Sequence, residues 1–241
     1  MELSDTVNQR PKVTTNGSAK EIRYPEPRTV TSPVHVAKRG IDIVVSFVGL
    51  CTTLPFYPVI MAAIAVESPG PIFYKQKRAG RLLGTSGHGR DLKFEEFWMV
   101  KFRTMKVDAE LKTGAVLANE RDPRISRVGR FLRKTRLDEL PQFFNVLQGS
   151  MSIVGPRPHA VTHNEQYRQI IKAYMVRHKV KPGITGWAQV NGHRGETDTI
   201  EKMRARVEYD LEYLRNWSLR LDLRIILQTA LIVLKGDRHA Y

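Results

Sequence analysis

A chain of 241 residues with a formal net charge of +15 and an isoelectric point of about 10.1 holds one domain of ordinary size plus appendages, and so basic a chain calls for an anionic partner: nucleic acid, anionic lipid or a phosphorylated substrate. Its single cysteine, Cys51, excludes an intramolecular disulfide, and no Cys/His spacing of a zinc site is present. There is no internal repeat, and no apolar run follows Met1, so a cleaved signal peptide is not expected.

Residues 1–35 are rich in Thr, Ser, Asn and Pro, with Pro25, Pro27 and Pro33 close together. They show no apolar periodicity and read as a disordered cytoplasmic leader, because such a composition buries too little apolar surface to fold. From Ile41 to Val66 the chain is almost wholly apolar, roughly the length of a membrane span. Lys38 and Arg39 precede this stretch, and Lys75, Lys77, Arg78 and Arg81 follow it, whereas a simple span wants its cations on one side. Pro55 and Pro58 stand near the middle, where each removes a backbone donor and bends a helix. The pattern fits a helix-break-helix hairpin that enters one leaflet and returns. A kinked transmembrane helix and a buried core helix stay open on pattern alone.

Further on, Pro71–Lys77 and Phe97–Arg103 predict short strands around a glycine-rich loop, Gly80–Gly89. Ser126 is placed to cap a helix running to Lys134. A second helix is expected over Glu139–Gln148, with Asp138 at its N-cap, Pro141 in its first turn and Gly149 at its end. Longer amphipathic helices are expected over Ala160–His178, over residues 199–215 and over Ser218–Lys235. The last has an apolar face broad enough to pack on a core or lie in a membrane interface.

The segment Leu137-Asp138-Glu139-Leu140-Pro141 carries the strongest chemical signal. It sets two carboxylates directly after a basic run of Arg121, Arg124, Arg127, Arg130, Arg133, Lys134 and Arg136, opposed by Asp122 alone. A carboxylate that attacks a phosphate ester needs this setting: cations hold the anion, and a second acid binds metal or moves a proton. The helix dipole and the arginines are expected to keep Asp138 ionised. An isolated acidic pair at a helix start is more often an ordinary cap, so the pair needs support from elsewhere. In Gly155-Pro156-Arg157-Pro158, two prolines fix the backbone around one guanidinium, which cuts the entropy lost on gripping a phosphate. A rigid turn with a solvent-facing arginine would look the same. On a strand, Lys101 and Arg103 share one face while Phe102 points to the other. In Lys181–Gly192, three glycines allow close backbone approach, and Trp187 and Gln189 suit a ring and its polar edge. The plainer alternative there is a turn-rich connection with a core tryptophan. The seven histidines show no metal-ligand spacing.

These elements, in this order and after a broken apolar hairpin, resemble the bacterial polyprenyl-phosphate phosphoglycosyl transferases of the monotopic type. The resemblance rests on Ser68-Pro69-Gly70-Pro71, on Lys101–Met105, on residues 127–158 and on residues 181–192, and it covers about residues 35–241. The stretches His159–Tyr167, Arg177–Val180 and Arg194–Thr199 look more like the undecaprenyl-phosphate glucose phosphotransferase branch. Where the family usually breaks its hairpin at Ser-Pro, this chain has Leu54-Pro55. The loop Arg81–Asp91 is longer and richer in glycine than in the family, and a polar leader stands where glucose-branch members often carry several transmembrane helices.

The resemblance implies a mostly α fold with a short β-hairpin (α+β). It also implies a monotopic membrane protein with a re-entrant hairpin over 36–67, amphipathic interfacial helices and a catalytic domain over 68–241, at the cytoplasmic face of the bacterial inner membrane. A UDP-sugar, glucose first and galactose or an N-acetylhexosamine as alternatives, would donate its sugar-1-phosphate to undecaprenyl phosphate and release UMP, beginning exopolysaccharide or other glycoconjugate assembly. Asp138 would be the nucleophile that carries the phosphosugar, and Glu139 would help hold Mg²⁺. Lys101, Arg103, Arg133 and Arg157 would bind phosphate oxygens. Thr185, Gly186, Trp187, Gln189 and Asn191 would face the nucleotide or sugar, and Pro55 and Pro58 would break the hairpin. A homodimer is compatible with this reading, membrane lipid is an expected partner, and nucleic acid is not. Two other readings compete: direct transfer in a ternary complex with Asp138 as base or metal ligand, and a membrane-anchored basic module without catalysis. The second accounts for the arginines but not for the carboxylates or the glycine-tryptophan motif.

Overall fold

The structure is a computed structural model that describes residues 33–86, 91–107, 122–171, 173–195, 197 and 199–235; the leader up to Ser32 and residues 87–90 of the glycine-rich loop lie outside them. Helix α1 (Pro33–Thr53) and helix α2 (Tyr57–Glu67) are separated by a 3₁₀ turn over Leu54–Phe56. The interruption falls at Pro55 and Pro58, which lack the donors an α-helix needs there. The hydroxyls of Thr52 and Thr53 donate to the carbonyls of Val48 and Gly49 at 2.8 and 2.7 Å, a back-bonding that itself bends helices. The segment Pro33–Glu67 is long and apolar enough to cross a membrane.

Both ends of that segment are pinned to the rest of the chain by polar groups. Arg39 donates to the carbonyls of Val146 and Leu147 at 2.6 and 2.7 Å, satisfying groups that the end of helix α4 (Gln142–Gln148) leaves open. Asp42 is buried and accepts from Ser152 Oγ and the Ile153 amide, both at 3.0 Å. At the other end, Glu67 accepts from the amides of Arg127 and Val128 at 2.6 and 2.8 Å, at the N-terminus of helix α3 (Arg127–Thr135). Ser126 caps that helix as expected, with its Oγ accepting from Gly129 at 2.9 Å. Between the pins, one face of the segment packs inward: Leu50, Tyr57, Ile60 and Ile64 meet Phe102 and Leu132. A Cβ at Gly49 would stand 2.8 Å from the Phe143 ring, so α1 lies close on α4. The other face leaves Val44, Phe47, Val48, Leu54, Phe56 and Val59 exposed.

Strands β1 (Phe73–Ser86) and β2 (Asp91–Phe102) pair antiparallel from Phe73 opposite Phe102 to Ser86 opposite Asp91. They are longer than the sequence predicts, because register shifts between Ala79 and Leu82 and between Leu82 and Gly84 absorb glycine-rich chain into the ladder. A second, parallel pair, β3 (Ser152–Val154) with β4 (Gly183–Thr185), is not expected from the sequence, since three residues are too few to show a period. The expected helix over Ala160–His178 is divided: helix α5 (Val161–Ile170) stops, Ala173 turns left-handed at φ 62°, and a 3₁₀ stretch follows over Tyr174–Lys179. Helices α6 (Trp187–Val190), α7 (Ile200–Asn216) and α8 (Leu219–Lys235) complete the chain. The main core gathers Phe97, Met99, Val146, Met151, Val154 and Ile225. The described residues are thus mostly helical with small two-stranded sheets. On α8, Ile225 is buried while Leu223, Leu227, Leu231 and Leu234 stay exposed.

Candidate active site

The acidic pair does not begin a helix. Arg136, in the left-handed conformation at φ 64°, ends α3 and turns the chain into a 3₁₀ turn over Leu137–Glu139. The following helix starts only at Gln142, with Pro141 ahead of it and Gly149, at φ 89°, ending it as expected. This corrects the N-cap role expected for Asp138. The reversal at Arg136 instead sets Asp138 and Glu139 against the end of β2 and the turn after β3. A non-glycine residue held left-handed beside charged side chains is local strain that packing sustains.

Around this turn the chain brings cations from five separate stretches. Glu139 Oε1 accepts from Arg157 at 2.5 Å, and its Oε2 lies 3.4 Å from both Arg157 and Arg194. Arg133 donates its Nε to Thr104 at 2.9 Å. Lys101 stands over the Tyr74 ring at 5.2 Å, and Arg78 reaches the Pro158 carbonyl at 3.4 Å. Asp138 is buried, at 7% exposure, and makes no hydrogen bond or ion pair among the described residues. The carboxylate that sequence singles out is therefore the one that internal pairing leaves alone, while its neighbour is gripped by two guanidinium groups.

The electrostatics of the pair differ accordingly. Burial and then the neighbouring Glu139 push the Asp138 carboxyl up to about 7, against the opposing pull of Lys101, Arg133 and Arg157. The expectation that the arginines and a helix dipole keep Asp138 fully ionised is thus corrected, because desolvation outweighs them. Burial works to raise Glu139 as well, but Arg157, the hydrogen bond it makes, Lys101 and Arg136 hold that carboxyl below its usual range. Burial, then Arg133, lowers Lys101 to about 8. The site holds one firmly ionised acid and, beside it, an acid and an amine poised near neutral pH.

Other expected site residues are engaged elsewhere. Arg103 is buried, just past the end of β2 at Phe102, and donates to the carbonyls of Ser68 and Pro69, so it fastens the turn after α2. The glycines of Lys181–Gly192 serve a close approach, but to protein backbone. A Cβ at Gly183 would stand 2.1 Å from the Gly155 amide nitrogen, and one at Gly186 would stand 2.4 Å from the Gly155 carbonyl. The glycine motif therefore interlocks with Gly155-Pro156-Arg157-Pro158 and fixes where Arg157 stands. Thr185 shares a hydrogen bond with Thr229 at 2.7 Å, Trp187 packs on the main core with Arg224 over its ring at 5.6 Å, and Asn191 donates to the Trp187 carbonyl at 2.8 Å. These contacts tie Thr185, Gly186, Trp187 and Asn191 into the scaffold around the Arg157 turn. Gln189 differs, since its amide is buried and has no hydrogen-bond partner among the described residues. Sequence reasoning misses Arg194 as a neighbour of Glu139 and Arg78 as a neighbour of Lys101, because nothing local ties them to the site.

The bacterial sugar transferase family model matches residues 34–236, and the chain belongs to that family. It is 54% identical over 206 residues to the UDP-glucose:undecaprenyl-phosphate glucose-1-phosphate transferase of Escherichia coli K12, covering 85% of this chain and 41% of that protein. It is 41% identical over 207 residues to a UDP-N-acetylgalactosamine-undecaprenyl-phosphate N-acetylgalactosaminephosphotransferase of Aeromonas hydrophila, covering 85% of this chain and 45% of that protein. It is 40% identical over 197 residues to the exopolysaccharide production protein PSS of Rhizobium leguminosarum, covering 80% of this chain and 93% of that one. The chain thus spans less than half the length of the first two relatives, and the resemblance read from the sequence and the family agree.

Proposed function

We propose that this chain transfers glucose-1-phosphate from UDP-glucose to undecaprenyl phosphate. The observation that carries the reading is Asp138, a buried carboxylate, unpaired among the described residues, within reach of the field of Lys101, Arg133 and Arg157. In the first step a carboxylate oxygen of Asp138 attacks the sugar-bearing phosphorus, the bond from that phosphorus to the bridging oxygen breaks, and UMP leaves with that oxygen. In the second, an oxygen of the lipid phosphate attacks the same phosphorus and the Asp138 carboxylate departs unchanged. The guanidinium and ammonium groups gathered around Asp138 would lower the cost of the charge that builds on the phosphate. Glucose is favoured over an N-acetylated sugar by the higher identity to the relative named for glucose.

Among the described residues no cluster of three His, Cys, Asp or Glu side chains is placed to hold a metal. The two carboxylates present still suit Mg²⁺, which is commonly bound by one or two carboxylates with substrate phosphates and water. Glu139 Oε2, with its long 3.4 Å contacts, is the oxygen that would hold it, and the ion would neutralise phosphate charge. For the membrane, the reading is a re-entrant hairpin over 36–67 below a catalytic domain over 68–241 at the cytoplasmic face. It is supported by the pins at Arg39, Asp42 and Glu67, which tie both ends of the apolar segment to one body.

The test is UMP release from a panel of UDP-sugars by the full chain in nanodiscs with polyprenyl phosphate. UDP-glucose is expected to give the highest kcat/KM. A higher value for an N-acetylated donor would overturn the sugar, and no release from any donor would overturn the reaction. The first step is also expected to depend on pH with a definite sign. Only ionised Asp138 attacks, and protonation sets in as pH falls through about 7. The burst of UMP measured without lipid acceptor should therefore slow about tenfold per pH unit below that point. A burst rate flat from about pH 5 to 8 would contradict this.

A further inference from the structure

Helix α7 buries one stripe, Met203, Arg206, Val207, Asp210 and Tyr213, at the three- and four-residue spacing of a helix face. Two members of this stripe are charged and one turn apart. Burying charges is costly, and an apolar pair of similar volume is often as stable or more so, so their presence in a core position asks for a use beyond packing. Both act on backbone that carries the guanidinium groups on Glu139. Arg206 donates its Nε to the His193 carbonyl at 2.9 Å and its Nη2 to the Gly195 carbonyl at 2.6 Å, straddling Arg194. Asp210 forms a 2.7 Å ion pair with Arg177, both side chains almost wholly buried. Arg177 in turn donates to the Arg157 carbonyl at 2.7 Å and meets His159 Nδ1 at 2.6 Å.

We infer that α7 is a brace for the guanidinium clamp: Arg206, through the His193 and Gly195 carbonyls, and Asp210, through Arg177 and the Arg157 carbonyl, are positioning residues for phosphosugar transfer. The inference rests on the reading of the site given above, but the brace has its own physical content. The turn holding Arg157 has one side fixed by Gly155 against Gly183 and Gly186 and the other by Arg177. The segment holding Arg194 has the Arg206 fork on both of its flanking carbonyls. Since Arg206 and Asp210 are four residues apart on one rigid helix, the two arginines on Glu139 are set relative to each other by α7. A displacement of about 1 Å in a phosphate-binding group can cost about a hundredfold in rate, so the geometry matters more than the charge.

The experiment compares Arg206→Lys, Asp210→Asn and Val207→Ala in the full chain in nanodiscs. Val207 lies in the same buried stripe and touches neither clamp segment in any polar contact, so Val207→Ala reports loss of packing alone. Val207→Ala is expected to lower Tm and leave kcat/KM for UDP-glucose per folded molecule within about twofold. Arg206→Lys keeps a cation but loses the fork, and Asp210→Asn unpairs Arg177. Each is expected to lower kcat/KM by about tenfold to a hundredfold, and to speed amide hydrogen exchange at Arg157 and His159 (Asp210→Asn) or at residues 193–195 (Arg206→Lys). Combining Asp210→Asn with Arg157→Lys should lose little beyond Arg157→Lys alone, because the first acts through the second. Variants that match Val207→Ala in both activity and exchange, or a double variant with fully multiplied losses, would overturn the brace. If the unaltered protein releases no UMP from any UDP-sugar, the reaction falls, and the exchange comparison alone upholds or refutes the brace.

Discussion

Replacing Asp138 by Asn is expected to abolish UMP release from UDP-glucose, by more than about 10⁴-fold, the scale seen when an enzyme's nucleophile is removed. The loss should appear in the burst without lipid acceptor as well as in steady turnover, since the first bond to phosphorus is the one that fails. The fold should not suffer. Asn fills nearly the same volume and carries no charge, and Asp138 is itself a carboxyl that burial makes costly to ionise, with no hydrogen bond to lose among the described residues. Tm is therefore expected to hold or to rise at neutral pH. If the variant keeps its Tm and also its UMP burst, Asp138 is not the nucleophile. If it loses steady turnover but keeps the burst, it acts later in the sequence, on the lipid acceptor.

Arg157→Lys is the second large effect. The substitution keeps a positive charge but removes the planar fork that holds Glu139 Oε1 at 2.5 Å and reaches Oε2 at 3.4 Å. A fall in kcat/KM of about 10²- to 10³-fold, or about 3–4 kcal/mol, is expected from losing one preorganised donor to a developing oxyanion. With its side chain 31% exposed, Arg157 contributes little to stability, so Tm should move by only a few degrees. Arg103→Lys gives the useful contrast. Arg103 is buried on the Ser68 and Pro69 carbonyls, so its loss should appear in Tm and leave kcat/KM per folded molecule much less changed. Equal kinetic losses in the two variants would mean that Arg157 has no special place on the phosphate.

Which parts of the site sequence reveals follows from how far apart the participating residues lie in the chain. Asp138 and Glu139 stand next to each other after a basic run, and Arg157 stands between two prolines, so each announces itself locally. Arg194 and Arg78 reach the same place from distant loops and strands, and no pattern in their own neighbourhoods marks them. The charge state of Asp138 escapes sequence reasoning for a related reason: the arginines are visible in the sequence, whereas the burial that outweighs them is produced by packing of β2, α3 and the turn after β3. Arg103 shows that a cation marked by its place beside Lys101 can be engaged by backbone, here the Ser68 and Pro69 carbonyls, which no local pattern reveals. The glycines of Lys181–Gly192 are legible as a demand for close approach, but not as to what approaches, which is the Gly155 backbone. One signal in the sequence points further than the motifs do. Arg206 and Asp210 interrupt an otherwise apolar stripe on α7, and such a conflict between pattern and residue type marks a site under functional constraint.

The most direct measurement is intact-peptide mass spectrometry of the full chain after brief reaction with UDP-glucose in the absence of polyprenyl phosphate, quenched in acid. The expected result is a peptide containing Asp138 heavier by one phosphohexose, formed in step with the UMP burst and discharged when polyprenyl phosphate is added. Turnover with polyprenyl phosphate but no adduct and no burst without it would mean that the lipid phosphate attacks the donor directly, and Asp138 would lose its place as the carrier of the phosphosugar.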